Sequence, residues 1–144
     1  MTTMPIGVLP VSGGGGGGPT PPLIIPLGGV MGDSSGTWTT GGSVSIDWSL
    51  YAGLYTTWEF TAVTVCSGGA FATGVQLLDQ TNANILATIT NNSTTPVANV
   101  AVPPLGPIPG AGTILYLAQV KIVGASPQPS DRAVLLSSYL TLLP

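Results

Sequence analysis

Along the chain from residue 43 onward, apolar side chains recur at every second position. In ILYLAQVKIV (114–123), Ile114, Tyr116, Ala118, Val120 and Ile122 fall on one face, with Gln119 and Lys121 on the other. Ile85, Ala87 and Ile89 alternate with Thr88 and Thr90, and Ala98, Val100 and Val102 alternate with Asn99 and Ala101. A period of two is that of a half-buried strand. VSIDWSL (44–50), WEFTAVTVC (58–66), GVQLLD (74–79) and AVLLSSYLTLL (133–143) predict further strands, and no stretch carries a helical period. Turn-forming runs separate them: SGG (67–69), DQTNAN (79–84), NNSTTP (91–96), PPLGPIPGAG (103–112) and GASPQPSDR (124–132). Short strands punctuated by Gly, Pro and Asn predict an all-β fold, an antiparallel jelly-roll β-sandwich. The four prolines of 103–112 make that loop stiff, so it loses little entropy on docking.

The pattern is different before residue 37. MPIGVLPV, six glycines, PTPP, LIIPL, GGVMG and DSSG alternate short apolar pieces with breakers, too often interrupted by Pro for an interior strand. The sequence therefore divides into an extended Gly/Pro-rich N-terminal arm, residues 1–36, and a sandwich domain, residues 37–144. Fully extended, the arm reaches on the order of 110 Å. Fixing six glycines costs on the order of 6–12 kcal/mol of backbone entropy, with no side chain to bury in return. Apolar anchors on either side must hold such a tether. Ile6, Val8, Leu9 and Val11 before it, and Leu23, Ile24, Ile25 and Leu27 after it, are the candidate partner-binding residues, each returning about 1.5–3 kcal/mol if fully buried.

Composition narrows the function. Seven Asp, Glu, Lys and Arg side chains in 144 residues make 5% of the chain, where about 25% is usual. A chain this uncharged is expected to cover much of its surface with other protein. Two basic residues cannot track a phosphate backbone, so nucleic acid is not an expected partner. The longest apolar stretch, AVLLSSYLTLLP (133–144), is too short to span a bilayer as a helix and holds two serines. The opening MTTMPIGVLPVS lacks the basic and long apolar regions of a secretory signal. Cys66 is the only cysteine, so no internal disulfide forms, and a small buried side chain is its expected role.

The chain has no histidine, which removes His general bases, Ser-His-Asp and Cys-His nucleophile systems and His-ligated metals. Asp47 and Glu59 are the only carboxylates on predicted strands that could face each other across a cleft, and outward-facing polar residues account for them better. DSSG (33–36) and DQTN (79–82) offer one carboxylate each and read as turns rather than calcium loops. The glycine run lacks the G-K-[ST] or G-x-G-x-x-G setting of a phosphate cradle. No catalytic residue, metal or cofactor is expected. Trp38, Trp48, Tyr51, Tyr55 and Trp58 are expected as core or interface anchors. As a sugar-stacking platform they would require Trp48 or Trp58 to be exposed. The Asn-x-Ser/Thr matches at Asn91 and Asn92 are expected to be chance.

The succession VQLLDQTNANILATIT, STTPVANVAV, a Gly/Pro loop and ILYLAQVKIV resembles an idiom of small jelly-roll domains found in carbohydrate-binding modules and in accessory proteins of phage particles. The N-terminal segment resembles in type the extended arms that phage capsid decoration (cement) proteins lay over neighbouring subunits. This resemblance implies a structural virion protein docked on the capsid surface, made in the host cytoplasm without a signal peptide. It further implies a homotrimer whose arm bridges neighbours, with the major capsid protein and copies of itself as partners. The alternatives are a glycan-binding jelly-roll module and a tail-tip or fibre-associated virion subunit.

Overall fold

Nine strands build two antiparallel sheets in the computed structural model, which describes residues 18–33, 35–68, 70–124 and 128–144. They are β1 (Leu23–Pro26), β2 (Val30–Asp33), β3 (Thr39–Asp47), β4 (Thr57–Cys66), β5 (Phe71–Asp79), β6 (Asn84–Asn91), β7 (Val97–Val100), β8 (Thr113–Gly124) and β9 (Ala133–Leu143). Sheet one runs β1-β9-β4-β7, with β2 also paired to β9, and sheet two runs β3-β8-β5-β6. β1 lies along Leu140 and its neighbours while β2 lies along Ala133 and Leu135, so the two form a single kinked edge strand. Counted that way, the order is first-eighth-third-sixth in one sheet and second-seventh-fourth-fifth in the other. This is the winding of a jelly roll, two Greek keys closed face to face.

The alternation behind the strand predictions is the alternation of burial. Tyr116, Ala118, Val120 and Ile122 of β8 face the core, as do Phe60 and Ala62 of β4 and Leu135, Leu140 and Leu142 of β9. Cys66 is buried, its thiol donating to the Ser93 carbonyl at 3.2 Å. Asp79 closes the β5–β6 turn, its carboxylate accepting from the Asn82 backbone N–H at 2.9 Å and the Asn82 amide at 2.7 Å.

Three expectations need correction. The segment assigned to an arm becomes, from Leu23 on, the first strand of the roll. An edge strand can accept Pro26 because its outer side needs no ladder bond. The corner after it is pinned to Ser138. The Leu27 N–H donates to the Ser138 carbonyl at 2.9 Å, and the Ser138 hydroxyl donates to the Gly28 carbonyl at 2.6 Å. Two glycines make this corner possible: a β-carbon at Gly29 would strike the Leu135 and Leu136 carbonyls, and one at Gly42 the Leu27 carbonyl.

Secondly, the phase of 98–102 is reversed: Ala101 is 3% exposed while Val100 and Val102 are 49% and 85% exposed. Pairing partners share a face, and Val100 is registered opposite Thr61, which lies between the inward-facing Phe60 and Ala62. Lastly, the strand expected at 44–50 begins at Thr39 and stops at Asp47. There its carboxylate caps a 3-10 turn, Trp48–Leu50, accepting from the Ser49 N–H at 3.1 Å and the Ser49 hydroxyl at 2.6 Å.

Candidate functional site

Four of the five clustered aromatics fill the core. Trp48 is 0% and Trp58 3% exposed, and Tyr51 and Tyr55 are buried beside them. The Trp48 and Trp58 rings meet edge to face with centroids 4.9 Å apart, and Tyr116 closes the group at 5.3 Å from Trp58. The Trp48 indole N–H donates to the Tyr116 hydroxyl at 2.8 Å, whereas Trp58 Nε1 is buried without a hydrogen-bond partner. Burial raises the Tyr116 hydroxyl well above its ordinary value; the Trp48 bond opposes this and the Asp79 charge adds to it. Tyr51 is raised in the same sense, by burial first and then by Tyr55 and Asp47. A sugar platform on Trp48 or Trp58 is thereby removed, because neither ring reaches the surface.

Trp38, just before β3, is the half-exposed tryptophan. It lies across the outer face of sheet two, its ring edge over Gly74 and the Lys121 ammonium 4.5 Å from its centroid. One row along that face, the Gln76 amide donates to the Gln119 carbonyl oxygen at 2.6 Å, and the Gln119 amide to the Thr40 hydroxyl at 3.3 Å. Polar groups of this face thus partner one another.

The outer face of sheet one is different in kind. Because β1, β9, β4 and β7 are in register, their outward side chains line up in rows. One is Pro26, Tyr139, Thr61 and Val100; the next, toward the start of β4, is Ile24, Thr141 and Glu59. The Ala101 N–H donates to the Phe60 carbonyl at 2.8 Å, extending the ladder by one residue and bringing Val102 beside Glu59. On the other side of the first row lie Val63, Ala98, Ser137 and Leu136, and beyond them Val65 and Val134. Ile24 is 55% and Leu136 49% exposed. The only side chain in these rows that is charged at neutral pH is the carboxylate of Glu59.

A smaller apolar tip lies at one end of the sandwich. Leu50 and Leu54 stand exposed on the 48–56 turn, which the Ile108 N–H joins to the 103–112 loop by donating to the Thr56 carbonyl at 3.1 Å.

The proposed partner-binding residues separate into three groups. Ile6, Val8, Leu9 and Val11 lie outside the described residues. Ile25 and Leu27 are buried in the chain's own core and so cannot meet a partner, which corrects the expectation for both. Leu23 packs against that core half-buried, and Ile24 alone of its group stands outward. Asp47 is committed to the 3-10 cap and Glu59 to the outer face of sheet one. Among the described residues no three His, Cys, Asp or Glu side chains gather in a metal-binding group.

No protein family and no curated protein matches the sequence. Among solved structures, the CBM36-1 domain of a multidomain xylanase from the hindgut metagenome of Trinervitermes trinervoides is 13% identical with a TM-score of 0.46, covering 85% of this chain and 96% of that one. An arabinose-bound MgGH51 α-L-arabinofuranosidase is 14% identical with a TM-score of 0.37, covering 83% of this chain and 19% of that one. With such identities and TM-scores, neither likeness bears on what this chain binds.

Proposed function

We propose that the chain is a structural subunit that works by packing against other protein, and more specifically a capsid decoration protein of a phage particle, with the major capsid protein as a partner. The observation that carries the packing role is the outer face of sheet one, four strands wide, largely apolar, and bearing Glu59 as the one charge among its described side chains. A face of that composition loses free energy by remaining in water and gains it by being covered. The shell location rests on the resemblance together with the low overall charge. Immunogold electron microscopy of particles from a producing culture tests it: label spread over the shell supports the reading, and label on tails alone or only in the soluble fraction overturns it.

A second reading, glycan binding, is favoured by Trp38 on sheet two, where a half-exposed indole adjoins a row of amides and hydroxyls. A glycan array read with the wild-type chain and with Trp38→Ala separates the two: hits lost in the variant support sugar binding, and an array without hits removes it.

A further inference from the structure

We infer that the outer face of sheet two binds an acidic saccharide, its anionic group on the Lys121 ammonium and its ring against Trp38. This rests on the glycan reading given above and names the class of sugar.

Cations are scarce in this chain, so the place of each one matters. There are two basic side chains. The Arg132 guanidinium is tied to its own turn, donating to the Pro129 and Asp131 carbonyls at 2.7 Å each. The Lys121 ammonium has the Trp38 ring as its partner, 4.5 Å from the centroid. Among the described side chains no carboxylate pairs with it. Asp47 caps the 3-10 turn about 26 Å away along β8, Glu59 lies on sheet one, Asp79 closes the β5–β6 turn, and Asp131 accepts from the Gln128 N–H. The cation of this face is therefore left for an anion that the chain does not itself supply.

Register sets what stands around it. Lys121 pairs with Gly74 and Gly74 with Thr90, and one row along, Thr40, Gln119, Gln76 and Thr88 lie abreast on the four strands. That row spans about 14 Å, longer than one sugar ring. Gln76 is 5% exposed although it is on the outer side of the sheet, so its neighbours rise above it and it floors a shallow recess. Its amide donates to Gln119, and the Gln119 amide to the Thr40 hydroxyl, which leaves the Thr40 hydroxyl proton for an acceptor outside.

The needs of an acidic sugar are thus met side by side. The ammonium supplies the counter-charge, and cation–π attraction to the indole holds it in place before a ligand arrives, so little freedom is lost on pairing. The exposed part of the indole gives the sugar's C–H groups an apolar bed. Thr40, Gln119 and Thr88 offer hydroxyl and amide groups to its hydroxyls. A neutral saccharide would leave the ammonium unused. A point charge of this kind takes a carboxylate or a sulfate alike, so uronic acids and sulfated sugars are the two sources of the ligand. The site lies on the sheet opposite the proposed packing face, and the two roles do not compete.

A glycan array carrying uronic-acid, sulfated and neutral saccharides tests this on the full chain, with Lys121→Met, Lys121→Arg and Trp38→Ala beside the wild type. Hits are expected among the acidic glycans, and whether they carry carboxylate or sulfate tells the two sources apart. Lys121→Met should bind them about tenfold more weakly or worse, with recovery in Lys121→Arg. Methionine keeps the apolar stem over the sheet, so the loss reads the charge. A second measurement needs no variant: wild-type affinity for the strongest acidic hit should fall by about threefold or more between 50 mM and 0.5 M sodium chloride. Hits that do not favour acidic glycans, an unchanged Lys121→Met, or affinity indifferent to salt overturns the acidic class. If such hits are still lost in Trp38→Ala, the glycan reading stands without it, whereas an array without hits sinks both.

Discussion

At the scale of single residues, the core is set by how its aromatic polar atoms are satisfied. Trp48 and Trp58 have nearly the same burial, yet the indole N–H of the first has a partner and that of the second has none. Trp48→Phe should therefore leave the Tyr116 hydroxyl short of its donor and cost about 1–3 kcal/mol more than Trp58→Phe, in which only volume is lost. Urea unfolding of the two variants checks the difference. Tyr116 and Tyr51 hold their protons more tightly folded than unfolded, since burial raises both above 10.0. Their contribution is complete below that value and is lost as pH rises beyond it. Unfolding midpoints should fall above about pH 10, and less steeply in Tyr116→Phe. The aromatic cluster could be read from the sequence as a group of anchors, but not which ring stays outside. Trp38 differs from the others only in preceding the first long strand, where no periodicity assigns it a face.

Among the elements, the seven later strands were legible in the sequence, most plainly β8 and much of β6 and β9, which are buried on one side and wet on the other and so carry a period of two, whereas β5 is covered on both sides. β1 and β2 were not, because four-residue edge strands broken by Pro26, Gly28 and Gly29 carry no alternation to count. Their place is set by β9, an element more than a hundred residues away, and by the Ser138 bonds that local sequence cannot reveal. The phase of β7 was misread for a related cause, its register being fixed by β4 and not by its own residues. The corner offers a sharp test. Gly42→Ala should cost about 3 kcal/mol or more, since backbone would have to move, while Gly110→Ala, in open space, should cost less than about 0.5 kcal/mol. Thermal unfolding of both reads this directly. The same strand limits how an arm can be studied, since a truncation reaching past Leu23 removes part of the roll.

For the molecule as a whole, scarcity of charge is the governing property. Seven charged side chains leave little for salt to screen. The packing proposed for sheet one should accordingly be little changed between 50 mM and 0.5 M sodium chloride, and particle occupancy after washes at the two salt concentrations measures this. A strong loosening with salt would point to steering charges that the face does not have. Composition alone suggested that some surface is covered by other protein; register then placed Ile24, Val100, Val102 and Leu136 on one side of one sheet, the face proposed for that role.

The pairing of Leu23 with Leu142 makes neighbours of residues that leave the ribosome far apart in time. During synthesis the opening strand must wait, unpaired, until β9 emerges from the exit tunnel to receive it, so the nascent chain spends most of its elongation with an exposed edge and an unsealed interior.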